Sequence, residues 1–317
     1  MRLLPLLVLL AACSPGADLT RSLALPVALY DAEPERTDLD QLTYLGGVEL
    51  SHPDNRFGGF SALGISADGT RLIAVSDSAY WMTARFGWSE TYGTFSVGDI
   101  AIAPILSRDG RPLDGAAADS EALAFLGNGV YAVSFERDHR INTYALGDDW
   151  GGLDSVGVAF PAPPGASGFS NNGGMEGLTA LPGGRLLAGV EDGDGGSHAL
   201  WTRDGDTWRE AQLAAEPDYG LTALDYHDGA VYALERFWQT GIGNRIRILR
   251  FDAGALEAGG QAPIQPELLG TLEAGKAVDN FEGLAVLEHD GRTILLMVSD
   301  DNYNRAQRTL VLAFAVN

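Results

Sequence analysis

Carboxylates recur along this chain at positions where they could act on a proton or hold a cation. Glu121, Glu176 and Glu282 each stand just before an Ala-Leu or Gly-Leu pair, and Asp77, Glu136, Glu191, Glu235 and Asp300 each close a later aliphatic run. Acids gathered in a partly buried place must share protons at raised pKa or hold a cation. An all-oxygen ligand set favours a hard ion, calcium first and magnesium second. Arg137, Arg140, Arg236, Arg305 and Arg308 lie near the closing acids, so a purely structural arginine network is the alternative. Gly59-Phe60-Ser61 begins like a nucleophile elbow but does not complete one, there is no His-Glu-x-x-His, and the five histidines lack ligand spacing. The sequence therefore argues against a serine triad and against a helical zinc site. Glu191-Asp192-Gly193-Asp194-Gly195 has the composition of a calcium loop without EF-hand spacing.

The elements that must position these acids are hairpins. First strands open at Ser61-Ala62-Leu63, Glu121-Ala122-Leu123, Glu176-Gly177-Leu178, Thr222-Ala223-Leu224 and Glu282-Gly283-Leu284. Second strands close at Asp77, Glu136, Glu191, Glu235 and Asp300. If opening and closing residues face each other, the turns fall at the midpoints. Those midpoints are Asp68-Gly69, Gly127-Asn128-Gly129, Gly183-Gly184, Asp228-Gly229 and Asp290-Gly291, all of which tolerate positive φ. This register predicts that Glu121 faces Glu136, Glu176 faces Glu191 and Glu282 faces Asp300, with Cβ atoms about 5 Å apart.

Repeated short strands without helical periodicity predict an all-β fold, a β-propeller with five recognisable blades. A sixth could hide in the long first repeat, between about residues 58 and 117. The run from Tyr44 to Leu50 is expected to pair with the final strand, Thr309 to Phe314, closing the ring through the two termini. Leu63, Leu123, Leu178, Leu224 and Leu284 are expected in the core, with the neighbouring Ala or Gly admitting the next blade.

At the N-terminus, Met1-Arg2 and the apolar run Leu3 to Leu10 have signal-peptide length, and Leu10-Ala11-Ala12-Cys13 resembles a bacterial lipobox around the only cysteine. The expected organisation is a lipoprotein signal peptide over 1–12, a tether over 13–38 and one propeller domain over 39–317. Lipidation of Cys13 would anchor the protein in the cell envelope, facing the periplasm or exterior. A formal net charge of −22 argues against nucleic acid and against an anionic membrane surface, leaving the lipid anchor as the membrane contact. Loop aromatics Tyr80, Trp81, Trp88, Phe237 and Trp238, the first three from an aromatic-rich loop that runs on to Tyr92, offer a contact surface for a protein partner.

Several of these segments together resemble the bacterial phytase-like family, also described as esterase-like activity of phytase. They are Gly58-Gly59-Phe60-Ser61-Ala62-Leu63, Ser134-Phe135-Glu136-Arg137 with Arg140, Gly174-Met175-Glu176-Gly177-Leu178, and Asp279-Asn280-Phe281-Glu282-Gly283-Leu284 with Ser299-Asp300-Asp301-Asn302 and Gln307-Arg308-Thr309. The resemblance spans roughly residues 58 to 314 and implies a propeller with calcium-assisted hydrolysis of a phosphate ester. The resulting expectation is a hydrolase acting on a small anionic or ester substrate. Glu121, Glu136 and Glu176 would serve catalysis, Arg137 and Arg236 would orient the anionic group, and Glu121, Glu176, Glu191, Glu282 and Asp300 would hold calcium or another divalent ion. The competing expectation is a non-catalytic binding propeller with a structural ion. The sparse basic residues, with Lys276 the only lysine, fit a highly phosphorylated substrate poorly.

Overall fold

A computed structural model of the protein describes residues 23–89, 94–193, 196–257 and 262–317. The predicted signal peptide, Cys13, Tyr92, Asp194 and Gly195 lie outside the described residues. Five antiparallel sheets follow one another around a ring. Blade 1 is Phe60–Ile65, Arg71–Ser76, Tyr80–Ser89 and Thr94–Pro104. Blade 2 is Ser120–Gly127, Val130–Phe135, Arg140–Ala145 and Val158–Phe160. Blade 3 is Gly177–Leu181, Arg185–Gly193, Ser197–Asp204 and Thr207–Ala214. Blade 4 is Gly220–His227, Ala230–Gln239, Gly243–Asp252 and Glu267–Leu272. Blade 5 takes Asn280–His289, Arg292–Asp300 and Thr309–Val316 from the C-terminus and Leu42–Ser51 from the N-terminal half.

There is no sixth blade among the described residues. The first repeat is long because its two outer strands run to 10 and 11 residues. Closure is as predicted: Val48 pairs with Val311 and Leu50 with Thr309. The expected tether is shorter than predicted where it is described. Leu23–Pro26 adds to blade 5 beside Leu42–Ser51, and Leu29 is fully buried against blades 4 and 5. Backbone pairing of Leu23–Pro26 and the buried Leu29 hold a segment whose irregular sequence did not advertise it.

Each predicted turn is present, with positive φ at Gly69, Asn128, Gly129, Gly183, Gly184, Asp228, Gly229, Asp290 and Gly291. Five buried clusters fill the seams between blades. They join blade 5 to 4, 5 to 1, 1 to 2, 2 to 3 and 3 to 4, so the core is a closed ring of side chains. The five predicted Leu positions are buried in it. Gly283 shows why a small residue precedes each Leu: a Cβ there would sit 2.9 Å from the backbone of Ala62 and Leu63 in blade 1.

One prediction about register fails. Residues Ser61, Glu121, Thr222 and Glu282 are bulged, each being the extra residue between two paired neighbours. A bulge opposes two residues to one and re-aims the side chain. Each bulge slips the pairing beyond it by one position on the first strand, as in blade 4, where Ala223 pairs with Leu234 but Leu221 with Glu235. In blades 2 and 5 the regular strands already pair one position off the predicted register, Ala122 with Ser134 and Gly283 with Val298, so the two offsets add. Glu136 lies opposite Asp119 and not Glu121, with its N–H donating to the Asp119 carbonyl at 2.8 Å. Glu191 lies opposite Gly174 and not Glu176, at 3.0 Å, and Asp300 pairs with Asn280 and not Glu282.

Candidate metal centre and acidic mouth

The bulges and the ends of the second strands bring the acids to one mouth of the propeller. By the observed register the closing positions are Asp77, Glu136, Glu191, Arg236 and Asp300, lying opposite Gly59, Asp119, Gly174, Gly220 and Asn280. Blade 4 thus contributes an arginine where the sequence reading put Glu235. Glu235 pairs one step earlier, with Leu221, and its side chain is fully buried between blades 3 and 4. There it meets Arg247 at 2.5 Å and lies 3.2 Å from His198 Nε2, so it belongs to a structural ion pair and not to the mouth.

The remaining acids crowd together. Asp119, Glu121 and Glu136 form one set able to offer three oxygens within 4.8 Å of one another, and Glu136, Glu176 and Glu191 form a second. Glu136 belongs to both. Of the predicted metal ligands, Glu121, Glu176 and Glu191 fall in these sets. Glu282 and Asp300 stand beside them, bridged by Asn280, whose Nδ2 donates to Glu282 Oε1 at 2.9 Å and to Asp300 Oδ2 at 3.2 Å. Asp119 and Asn280 were missed by sequence reasoning. The available signal was their shared offset, two residues before a bulged acid, which only the bulge makes meaningful.

Burial in the mouth raises the pKa of every one of these acids, and mutual repulsion adds to it. Desolvation pushes Glu136, Glu191 and Glu282 up to about 7, Asp77 to about 6 and Asp300 to about 8. Glu121 and Glu176 are raised well above the usual carboxylate range by burial and by the charges of Glu282, Asp119, Glu136 and Glu191 around them. Two arginines relieve part of this. Arg137, held at φ 54°, puts Nε 2.7 Å from Asp119 Oδ2, and Arg236 spans Glu191 at 3.8 Å and Glu282 at 3.7 Å. Arg308 pairs instead with Asp279, and Arg140 lies over Phe135 while donating to the Ala117 carbonyl. Arg137 and Arg236 therefore reach the mouth as predicted, but both are already shared with its carboxylates.

The donors fit a hard divalent ion. They are all oxygens, several are doubly buried by protein and by each other, and two further oxygens in the mouth lack a partner. Ser61 Oγ, at the blade 1 bulge, and Asn280 Oδ1 are both buried and accept or donate no hydrogen bond. Buried polar groups are rarely left so. Calcium tolerates the six to eight oxygens of mixed type that such a mouth can supply.

The chain is thus a five-bladed β-propeller with a carboxylate-lined mouth. The profile of the phytase-like family, described as esterase-like activity of phytase, matches residues 55–303, and the chain belongs to that family. No curated protein matches the sequence. Among solved structures, an exo-1,5-alpha-L-arabinanase from a bovine ruminal metagenomic library is 12% identical, with a TM-score of 0.44 over 78% of this chain and 91% of that one. The RS223 beta-xylosidase is 13% identical, with a TM-score of 0.48 over 86% and 94%. An alpha-L-arabinofuranosidase from Clostridium thermocellum is 10% identical, with a TM-score of 0.44 over 74% and 80%. Likeness at these values carries no argument about chemistry.

Proposed function

We propose that the protein is a hydrolase of phosphate or carboxyl esters that works at the acidic mouth with a bound divalent ion, calcium first. The observation that carries this reading is the pair of three-carboxylate sets sharing Glu136, inside a chain of the phytase-like family. Asp119, Glu121, Glu136, Glu176 and Glu191 would hold the ion, with Glu282 and Asp300 beside them. When bound, such an ion polarises the ester and lowers the pKa of an attacking water.

The chain's own residues supply the rest. Arg236 and Arg137 offer guanidinium N–H groups to the anionic part of the substrate, exchanging a shared carboxylate for it. Without the ion, burial raises Glu136 and Glu191 to about 7, so at neutral pH they would release the last of their protons as the ion binds. The N–H of Gly174 donates to Glu136 Oε1 at 3.1 Å, fixing that carboxyl in the mouth. The test is turnover of phosphomonoester and short acyl ester panels with calcium and with chelator. Turnover on one panel that chelator abolishes is expected; no metal-dependent turnover on either overturns the reading, and metal binding without turnover would favour the binding propeller.

The setting we propose is the cell envelope, with Cys13 as the lipid anchor, a reading supported by the lipobox-like Leu10-Ala11-Ala12-Cys13. A Cys13→Ser chain is then expected in the soluble fraction and the native chain in the membrane fraction. Native protein that is soluble without detergent contradicts the anchor.

A further inference from the structure

Most of the aromatics that suggested a contact surface are committed to packing. Trp81 is fully buried, Trp88 stacks on His289 at 4.7 Å, and Phe237 packs on Tyr219 at 5.6 Å. Trp238 is different: it is 60% exposed and, among the described residues, stacks on no ring. A single exposed aromatic means little by itself. Its position gives it meaning, because Arg236 and Trp238 are two residues apart on the regular part of the strand Ala230–Gln239, where Arg236 pairs with Ile246 and Trp238 with Asn244. Residues two apart on a strand share a face, with Cα atoms about 7 Å apart. Both side chains line one cleft of about 510 Å³ between blades 3 and 4, a volume that suits a small molecule.

The cleft opens from the mouth at Arg236, and its walls are acidic. Glu191, Glu216 and Asp218 line it with Tyr219, and neutral amide side chains are absent from its described lining. Carboxylates accept hydrogen bonds from hydroxyls but repel further phosphates or carboxylates. Tyr219 is already used, with the Arg247 guanidinium over its ring at 5.7 Å, so the indole of Trp238 is the open flat surface.

We propose that this cleft binds the remainder of the substrate, a flat-faced ring that bears hydroxyls and no second anionic group, stacked on Trp238 while its one anionic group meets Arg236. This rests on the ester-hydrolase reading and assigns its substrate class. The ring chemistry is common to a phenol-type aromatic and to the C–H face of a sugar. A ring carrying several phosphates is disfavoured by Glu191, Glu216 and Asp218.

The experiment measures binding of three non-hydrolysable probes to the full chain with calcium present: methylphosphonate, phenylphosphonate and a C-linked glucosyl phosphonate. At least one ring probe should bind about three- to tenfold tighter than methylphosphonate, the range expected of a ring stacking on an indole. Trp238→Ala should bring that ratio to about one and leave methylphosphonate affinity unchanged, while Trp238→Phe keeps most of the gain. Because Trp238 is exposed, the variant costs no core packing, and an unchanged melting curve verifies this. A gain for the phenyl probe identifies the aromatic source and a gain for the glucosyl probe the sugar source. No gain for either ring, or a gain that survives Trp238→Ala, overturns the proposal. A Trp238-dependent gain without turnover of any ester keeps the ring site and discards the hydrolase reading; turnover with a flat ratio does the reverse.

Discussion

Glu136 is the residue on which the mouth turns, because it is common to both oxygen sets and takes an N–H from Gly174 across the blade seam. Glu136→Gln keeps the shape, removes a ligand and removes one repelling charge. Its calcium affinity should fall by at least tenfold by titration calorimetry. In chelator the same variant should melt roughly 2 °C higher than the native protein, since a neutral amide relieves the crowding that raises the pKa of its neighbours. Glu235→Gln is the control. It lies outside the mouth, paired with Arg247 and near His198, so calcium affinity should be unchanged while the melting temperature falls. Equal loss of calcium affinity in both variants would contradict the assignment of the centre.

At the scale of the strand, the recurring bulge makes the site. Ser61, Glu121, Thr222 and Glu282 occupy one structural position, and the bulge turns side chains there that a regular strand would place differently. The close approach of neighbouring inner strands then depends on the small residue that follows. Gly283→Ala would press a methyl against Val298 at 2.4 Å and against blade 1 backbone at 2.9 Å. Overpacking of this kind costs about 1–3 kcal/mol, so thermal unfolding should show a lower melting temperature by several degrees. An unchanged melting curve would mean that the seam between blades 5 and 1 can open without cost.

The same bulge marks how far the sequence could be read. Five turns, five blades and the closing strand were legible because Asp-Gly, Asn-Gly and Gly-Gly pairs advertise positive φ, and because an aliphatic run either alternates or does not. A bulge leaves no such mark in composition. Counting from the turns therefore placed Glu235 at the mouth and left Asp119 out, although the acids it named at the other closings do gather there. Arg236 lies beside Glu191 and Glu282, and its place within the ring followed only from the observed register. Trp238 could not be told from Trp81 or Trp88 by sequence, because exposure is set by which strand runs beyond its neighbour.

For the whole molecule, the crowded acids of the mouth are a source of instability that a bound cation would remove. In the folded, metal-free protein Asp77 titrates at about 6, Glu136, Glu191 and Glu282 at about 7 and Asp300 at about 8, all above their unfolded values near 4. Between those limits the folded state binds more protons than the unfolded one, so this contribution to stability is fully present below about pH 4 and is lost progressively from there until pH has risen through about 6 to 8. A divalent ion that binds only the folded state adds roughly 2.7 kcal/mol at a hundredfold excess over its dissociation constant. It must displace the protons held there at lower pH, so its contribution grows as they leave.

The most direct measurement of the metal-holding mouth is therefore a set of melting curves recorded with calcium and with chelator at about pH 5 and about pH 8. Calcium should raise the melting temperature by roughly 5 °C or more at the higher pH and by little at the lower one, with the chelated protein itself melting lower as pH rises. Curves that chelator leaves unmoved at both pH values would show that Arg137 and Arg236 alone neutralise the mouth, and would contradict the metal centre.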